Sequence, residues 1–292
     1  MTPLTSAPDT TTAGSGALWM LLLMVAFTAS WLALTALVPE FQLISRTVTR
    51  PLTHAVILYG LWLGLSRTGF EYGRRVRIWL ALAVPFTLWL AAVWIMAVDG
   101  VFVARPGIGG PPLIPIAIFL PVLLFLPILL RSARIGEILD ATPPSWLIGL
   151  QLYRVFGAIF LVAWAQGRLS SIFALPAGIG DMTTGLLALP IAYYLAAGGR
   201  GGRQAGVLWN VFGLLDFTIA VSIGILSSPA VQLIVADRPS IGAGTYPLVL
   251  IPTFAVPSSI ILHALSLRQL YRLRRREAPA RSVASPVSVP AA

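Results

Sequence analysis

The sequence has no cysteine, which excludes disulfides, thiolate metal sites, iron–sulfur clusters and a cysteine nucleophile. It has no lysine either. All twenty basic residues are arginine, so Schiff-base chemistry of the retinal or pyridoxal type has no amine to use. Charge of any sign is scarce, at 10% of residues, and histidine occurs twice. Against these gaps, 57% of the 292 residues are hydrophobic and the mean hydropathy is +0.87. Runs of about twenty apolar residues recur along almost the whole chain, and no segment between them is long enough to bury a soluble core. The composition reads as an all-α, polytopic membrane protein with the lipid bilayer as its main partner. The formal charge of +10 does not point to nucleic acid, because the arginines lie beside or between apolar runs instead of on a solvated domain.

Residues 1–16, made of Thr, Ser, Ala, Pro and Gly with Asp9, read as a disordered tail. A single transmembrane domain is expected over 17–273, followed by a basic and then disordered tail over 274–292. About eight spans are expected: Ala17–Val38, Pro51–Ser66, Val76–Val98, Leu113–Leu130, Ser145–Ala165, Ile172–Leu195, Gln204–Ser227 and Tyr246–Leu267. Pro176, Gly178 and Gly180 interrupt the sixth, which leaves segment 171–180 open between a kinked helix and a re-entrant one. Eight crossings put both termini on one side. The loops on that side, with the C-terminal tail, hold fourteen arginines, among them Arg67, Arg74, Arg77, Arg131, Arg134, Arg268 and Arg272. The opposite side holds five: Arg46, Arg50, Arg105, Arg168 and Arg238. The bias predicts an inner-membrane protein with cytoplasmic termini. Trp19, Trp79, Trp146 and Trp209 fall near span ends and are expected at the headgroups.

Val103–Gly109, before the fourth span, resembles Val235–Gly242, before the eighth. With other matches at similar offsets, this raises two parallel four-helix repeats, 17–140 and 141–273, with chance similarity of turns as the alternative. Gly60 and Gly64 form a GxxxG pattern that fits a helix–helix contact between copies. His54 and His263 are expected near opposite membrane faces, too far apart to share a haem iron. Pro115, Pro121, Pro127, Pro247, Pro252 and Pro257 predict kinked helices. No metal-spaced cluster, P-loop or nucleophile elbow is present, and no cofactor is implied.

Only Arg154, Asp181 and Asp216 place a charge well inside the expected spans, and all three fall near the midplane at 1.5 Å per residue. Each costs roughly 2.5–3.5 kcal/mol at a helix centre, so mutual pairing is expected. Helical phase groups Gln151, Arg154, Gly157 and Ala158 on one face, Asp181, Thr184, Gly185, Ala188 and Ala192 on the next helix, and Asn210, Gly213, Asp216, Ala220 and Gly224 on the third. These stripes of small and polar residues are expected to face one another. Candidate pathway residues are therefore Arg154, Asp181, Asp216, Gln151, Asn210 and Thr184.

Gly178-Ile-Gly180-Asp181 resembles the signature of the GxGD intramembrane aspartyl proteases. The resemblance implies a catalytic Asp181 with a second aspartate. The partner available, Asp216, follows on the next helix, whereas the presenilin and signal-peptide-peptidase branch has its partner on the preceding one, and the Pro-Ala-Leu motif is missing. The preferred expectation is a transporter-like protein that binds or passes a small solute, with proton linkage through the carboxylates. The alternatives are an intramembrane hydrolase or lipid-modifying enzyme, and a structural subunit in which the triad only packs helices.

Overall fold

The computed structural model describes residues 10–103, 113–228, 231–238 and 241–283. The helices in order are α1 (Thr10–Leu37), α2 (Pro39–Ser66), α3 (Tyr72–Val98), α4 (Leu113–Arg131), α5 (Ala133–Ala141), α6 (Pro144–Gly149), α7 (Ile159–Ala165), α8 (Ser171–Ala196), α9 (Gly202–Leu226) and α10 (Val256–Val283). A 3-10 stretch, Leu150–Ala158, joins α6 to α7, and a π-turn, Ile251–Ala255, leads into α10. Among the described residues there is no strand.

Six helical segments are long and apolar enough to cross a membrane: Thr12–Leu37 of α1, α3, α4, the rod Pro144–Ala165, α8 and α9. The chain is a multi-pass helical membrane protein. The expected second span lies in α2, and the eighth, Tyr246–Leu267, divides between α10 and the turn and π-turn before it; α2 and α10 are each 28 residues long. Neither meets the same measure, because Glu40, Arg50 and His54 dilute α2 and the arginines from Arg268 onward dilute α10. Length and composition thus support six, not eight.

Burial, not hydropathy, locates the centre. The rod Pro144–Ala165 is 67% buried over its most apolar window, against 17–39% for the other five. Around it pack α8, α1 and α2, with α9 and α10 closing the polar side. Trp31 and Met24 of α1, Leu65 of α2 and Leu248 and Ile251 before α10 meet Tyr153, Val155, Phe156 and Ile159 in the main apolar core. The Trp31 indole N–H donates to the Ser45 hydroxyl at 2.7 Å, pinning α1 on α2.

The ends of α4 and α5 are clamped by α10. Arg268 donates to the carbonyls of Leu129 and Ser132, both at 2.9 Å, and the Gln269 amide donates to those of Leu139 and Thr142. The carbonyls of Leu129, Leu139 and Thr142, at or near helix ends, are thereby satisfied, while that of Ser132 also accepts the Gly136 N–H. Asp140 accepts from Arg272, with Nε at 3.0 Å, and pairs with Arg276; the Arg272 hydrogen bond holds its carboxyl below the ordinary range. At the opposite end, Asp237 accepts the Ser171 N–H at 3.0 Å and a bond from the Ser170 hydroxyl. It caps α8 from a loop distant in sequence, and these bonds hold its carboxyl low.

Several expectations change. Segment 171–180, open between a kinked and a re-entrant helix, is helical, an unbroken part of α8. Pro176 removes one ladder bond, and Gly178 and Gly180 serve close approach instead of unwinding: a Cβ on Gly178 would strike Leu161, and one on Gly180 would strike Asp216. The span expected as a regular helix over Ser145–Ala165 winds tighter through Leu150–Ala158. Trp209 is not an interfacial anchor; it is buried and donates to the Thr184 carbonyl at 3.0 Å. Helix α1 starts at Thr10, inside the expected tail, where Ala13 is buried, and α10 runs on to Val283. Gly60 approaches Leu150, and Gly64 approaches Thr142 and Ile138, so the GxxxG face is used within the chain. Of the two resembling segments, residues 104–109 and 239–240 lie outside the described residues, as does Arg105.

Candidate functional site

The site begins with the winding of the central rod. A 3-10 helix has three residues per turn, so residues three apart stack in line. Gln151, Arg154 and Gly157 consequently form one row, and Gly157 lies so close to Asp181 that a Cβ would overlap its carboxylate. Gly185 makes the matching approach from α8, against the backbone of Val155. Four glycines, at 157, 180, 185 and 213, bring the backbones near enough for short aspartate side chains to reach one guanidinium.

Arg154 is 2% exposed. Its Nε donates to Asp181 Oδ1 at 2.8 Å, and Nη2 lies 2.7 Å from the same oxygen. Nη2 also pairs with Asp216 Oδ2. Nη1 reaches the Gly213 carbonyl at 3.3 Å and His263 Nε2 at 3.0 Å. The plane of the guanidinium lies over Phe217, with Cζ 3.9 Å from the ring centroid. Guanidinium nitrogens only donate, so His263 Nε2 must carry a lone pair and Nδ1 the proton. That proton is donated to Asn210 Oδ1 at 2.9 Å. The Asn210 amide then donates to the Gly206 carbonyl at 2.7 Å and to the Ser266 hydroxyl at 3.0 Å. The network fixes a neutral histidine in one tautomer.

On its other side, Arg154 borders a cavity of about 10 Å³, room for about one water, shared with Arg50, Tyr153, Asp181 and Ser259. Tyr153 and Ser259 hydroxyls are 2.7 Å apart. Arg50, from α2, is 5% exposed and makes no hydrogen bond or ion pair with any described residue. Two guanidinium groups therefore share the buried region with two carboxylates. The π-turn supplies Ile251 and Ala255 to the same cavity. Its irregularity follows from proline. Pro257 cannot donate to the Thr253 carbonyl, and the Trp89 indole N–H takes that acceptor at 3.0 Å. The Ser258 hydroxyl meets the carbonyl of Phe254 at 2.7 Å.

Of the six candidate residues, the structure brings Arg154, Asp181, Asp216 and Asn210 into one network. Thr184 is buried but donates to its own helix, to the Gly180 carbonyl at 2.9 Å. Gln151 is fully buried with both amide atoms unpartnered. Sequence reasoning missed His263, placed near a membrane face, and Arg50, placed in an outer loop. The signals were present: Ser259, His263 and Ser266 recur at helical spacing on α10, and Thr49 and Thr53 flank Arg50 on a buried stripe of α2. His54 belongs elsewhere, 3.0 Å from the Thr87 hydroxyl and stacked on Phe86. Among the described residues no group of three or more His, Asp or Glu side chains is suited to a metal ion.

Residues 111–271, more than half of the chain, match the family described as "Domain of unknown function (DUF8737)", and the chain belongs to that family. No curated protein and no solved structure matches. The matched segment contains Arg154, Asp181, Asn210, Asp216 and His263, whereas Arg50 lies before it.

Proposed function

We propose that this protein carries a small anion across the inner membrane together with a proton, through the cavity lined by Arg50, Arg154 and Asp181, with Asp216 paired to Arg154 beside it. The observation that carries the reading is Arg50: a residue 5% exposed that makes no hydrogen bond or ion pair with any described residue and lines a water-sized cavity together with Asp181. Such a group is expensive unless something occupies it for part of a cycle. With both aspartates ionised the cluster is neutral. One proton on Asp181 or Asp216 leaves a single positive charge, and an anion on Arg50 restores neutrality, so the two bind best together. At about 10 Å³ the cavity holds no solute larger than water, which makes this the closed conformation. Opening would use the 3-10 stretch and the π-turn, the two irregular segments that border the cavity, since such windings recur at hinges and functional sites. In this reading α2 and α10 also cross, for eight spans, and both termini are cytoplasmic.

Proteoliposomes test it. Uptake of small anions such as nitrate, formate or phosphate, with proton entry read by an internal dye, should be lost in Arg50→Gln and uncoupled from protons in Asp216→Asn or Asp181→Asn. Normal coupled flux in all three folded variants removes the site from the mechanism. A structural reading is favoured by one observation, the complete pairing of Arg154. It expects the combined Arg154→Leu, Asp181→Leu and Asp216→Leu variant to fold as well as the parent and to keep whatever activity the parent has.

A further inference from the structure

A second site lies between α2, α3, α4, α5 and α10, independent of the charged cluster. It is a groove of about 720 Å³ with apolar walls, including Ile57, Leu61, Ile78, Leu82 and Leu265. Its charged lining residues are Arg74, Arg77 and Arg134, and no carboxylate lines it. All three arginines are exposed, and Arg77 and Arg134 make no ion pair with a described residue. The Arg74 guanidinium lies over the Phe70 ring, 4.1 Å from its centroid, which leaves its N–H edges free to turn toward a ligand.

The two zones are separated along the membrane normal. From Arg77 to Trp89, which lines the deep end, α3 rises about 18 Å at 1.5 Å per residue. Half of a hydrocarbon core roughly 30 Å thick is about 15 Å. The groove is therefore one leaflet deep, with cations at the headgroup level and apolar side chains below. A soluble anion would have no use for the apolar depth, and the most apolar lipid-facing helices of a second copy, α1 and α4, would bring no carboxylate to meet three arginines.

We propose that this groove is the seat of one anionic phospholipid from the leaflet at the arginine-rich end, its phosphate held by Arg74, Arg77 and Arg134 and its acyl chains lying along α3 toward Trp89. Basic recesses between membrane helices recognise anionic headgroups in this manner. The lipid would stand where α2, α3 and α10 meet, contributing to the packing of the first helices on the rest.

Native mass spectrometry of the full-length protein released from nanodiscs of equimolar phosphatidylglycerol and phosphatidylcholine tests the proposal. One phosphatidylglycerol should remain on the intact chain. Its preference over phosphatidylcholine should fall about fivefold per arginine removed, on the order of a hundredfold in Arg74→Gln/Arg77→Gln/Arg134→Gln. Ala81→Trp, which fills the groove without touching charge, should reduce retention of both lipids. Equal retention of the two lipids by the parent, unchanged preference in the triple variant, or a dimer that forms through this face and displaces lipid would each overturn it. A thermal melt of every variant separates loss of lipid from loss of fold.

Discussion

Helices α1 to α4 and the segment from the central rod to α10 solve the same problem with different side chains. Helix α4 is the most apolar span, at hydropathy 2.9, yet is only 22% buried; α8 is the least apolar of the six, at 1.5, and is 39% buried. The rod Pro144–Ala165, at 1.7, is 67% buried, while α3, at 2.1, is 17% buried. In lipid, apolarity gives no reason for one helix to seek another, since acyl chains are as apolar as leucine. Close packing and polar contacts do. The first four helices spend their large side chains on the bilayer, with Trp19, Leu23, Tyr59, Leu88 and Leu123 all exposed. The later ones carry Gly157, Gly180, Gly185 and Gly213, and with them a hydrogen-bonded interior.

That contrast can be broken or sharpened by substitution. Arg154→Leu should cost about 3–5 kcal/mol, because it strands two buried carboxylates. His54→Leu, which removes the bond to Thr87 in the first region, should cost about 1 kcal/mol. Thermal or denaturant unfolding in detergent measures both, and equal losses would erase the distinction. Gly213→Ala comes next. Its Cβ would fall within His263 and against Arg154, for a cost of about 1–3 kcal/mol, whereas Gly73→Ala meets nothing within 4 Å and should change stability by less than about 0.5 kcal/mol.

Gln151→Leu should raise stability by about 1 kcal/mol, since it replaces two unpartnered buried amide atoms with hydrocarbon. A loss on melting instead would reveal a bonded role for that amide. The smallest effect expected is that of Asp140→Asn, under about 1 kcal/mol for partly exposed pairs with Arg272 and Arg276. Its carboxyl is held low, so its contribution is complete above the ordinary carboxylate range and fades as pH falls through the lowered value. Unfolding midpoints of the parent should therefore drop on the acid side, and the variant should lose that part of the slope.

The α8 stripe was legible from periodicity alone: Asp181, Thr184, Gly185, Ala188 and Ala192 are all buried. So was the need for Arg154 to meet carboxylates, because three lone charges in long apolar runs leave few other partners. What the sequence hid has physical causes. Nothing in Leu150–Ala158 marks a tighter winding; the segment has no proline, and the in-line row it creates depends on packing against Gly185. Arg50 and His263 sit in helices whose ends carry many arginines, where span limits blur and a buried charge resembles an interfacial one. Pro176 left two windings open, and the choice of a continuous helix depends on neighbours such as Leu161 and Asp216, against which Gly178 and Gly180 pack. Length and apolarity return six spans and not eight because α2 carries Glu40, Arg50 and His54 and α10 carries a run of arginines from Arg268 onward.

Arg154 has one more consequence, and it concerns direction. A guanidinium donates through every nitrogen and does not release its protons in a protein. It accordingly acts as a bulkhead between two compartments of the interior. His263, Asn210 and Ser266 occupy one, and the opening beside Tyr153, Ser259 and Arg50 occupies the other. The imidazole beyond the partition is thereby screened from the Tyr153 side by a group that can only donate, and it serves as a wall fitting that props the guanidinium.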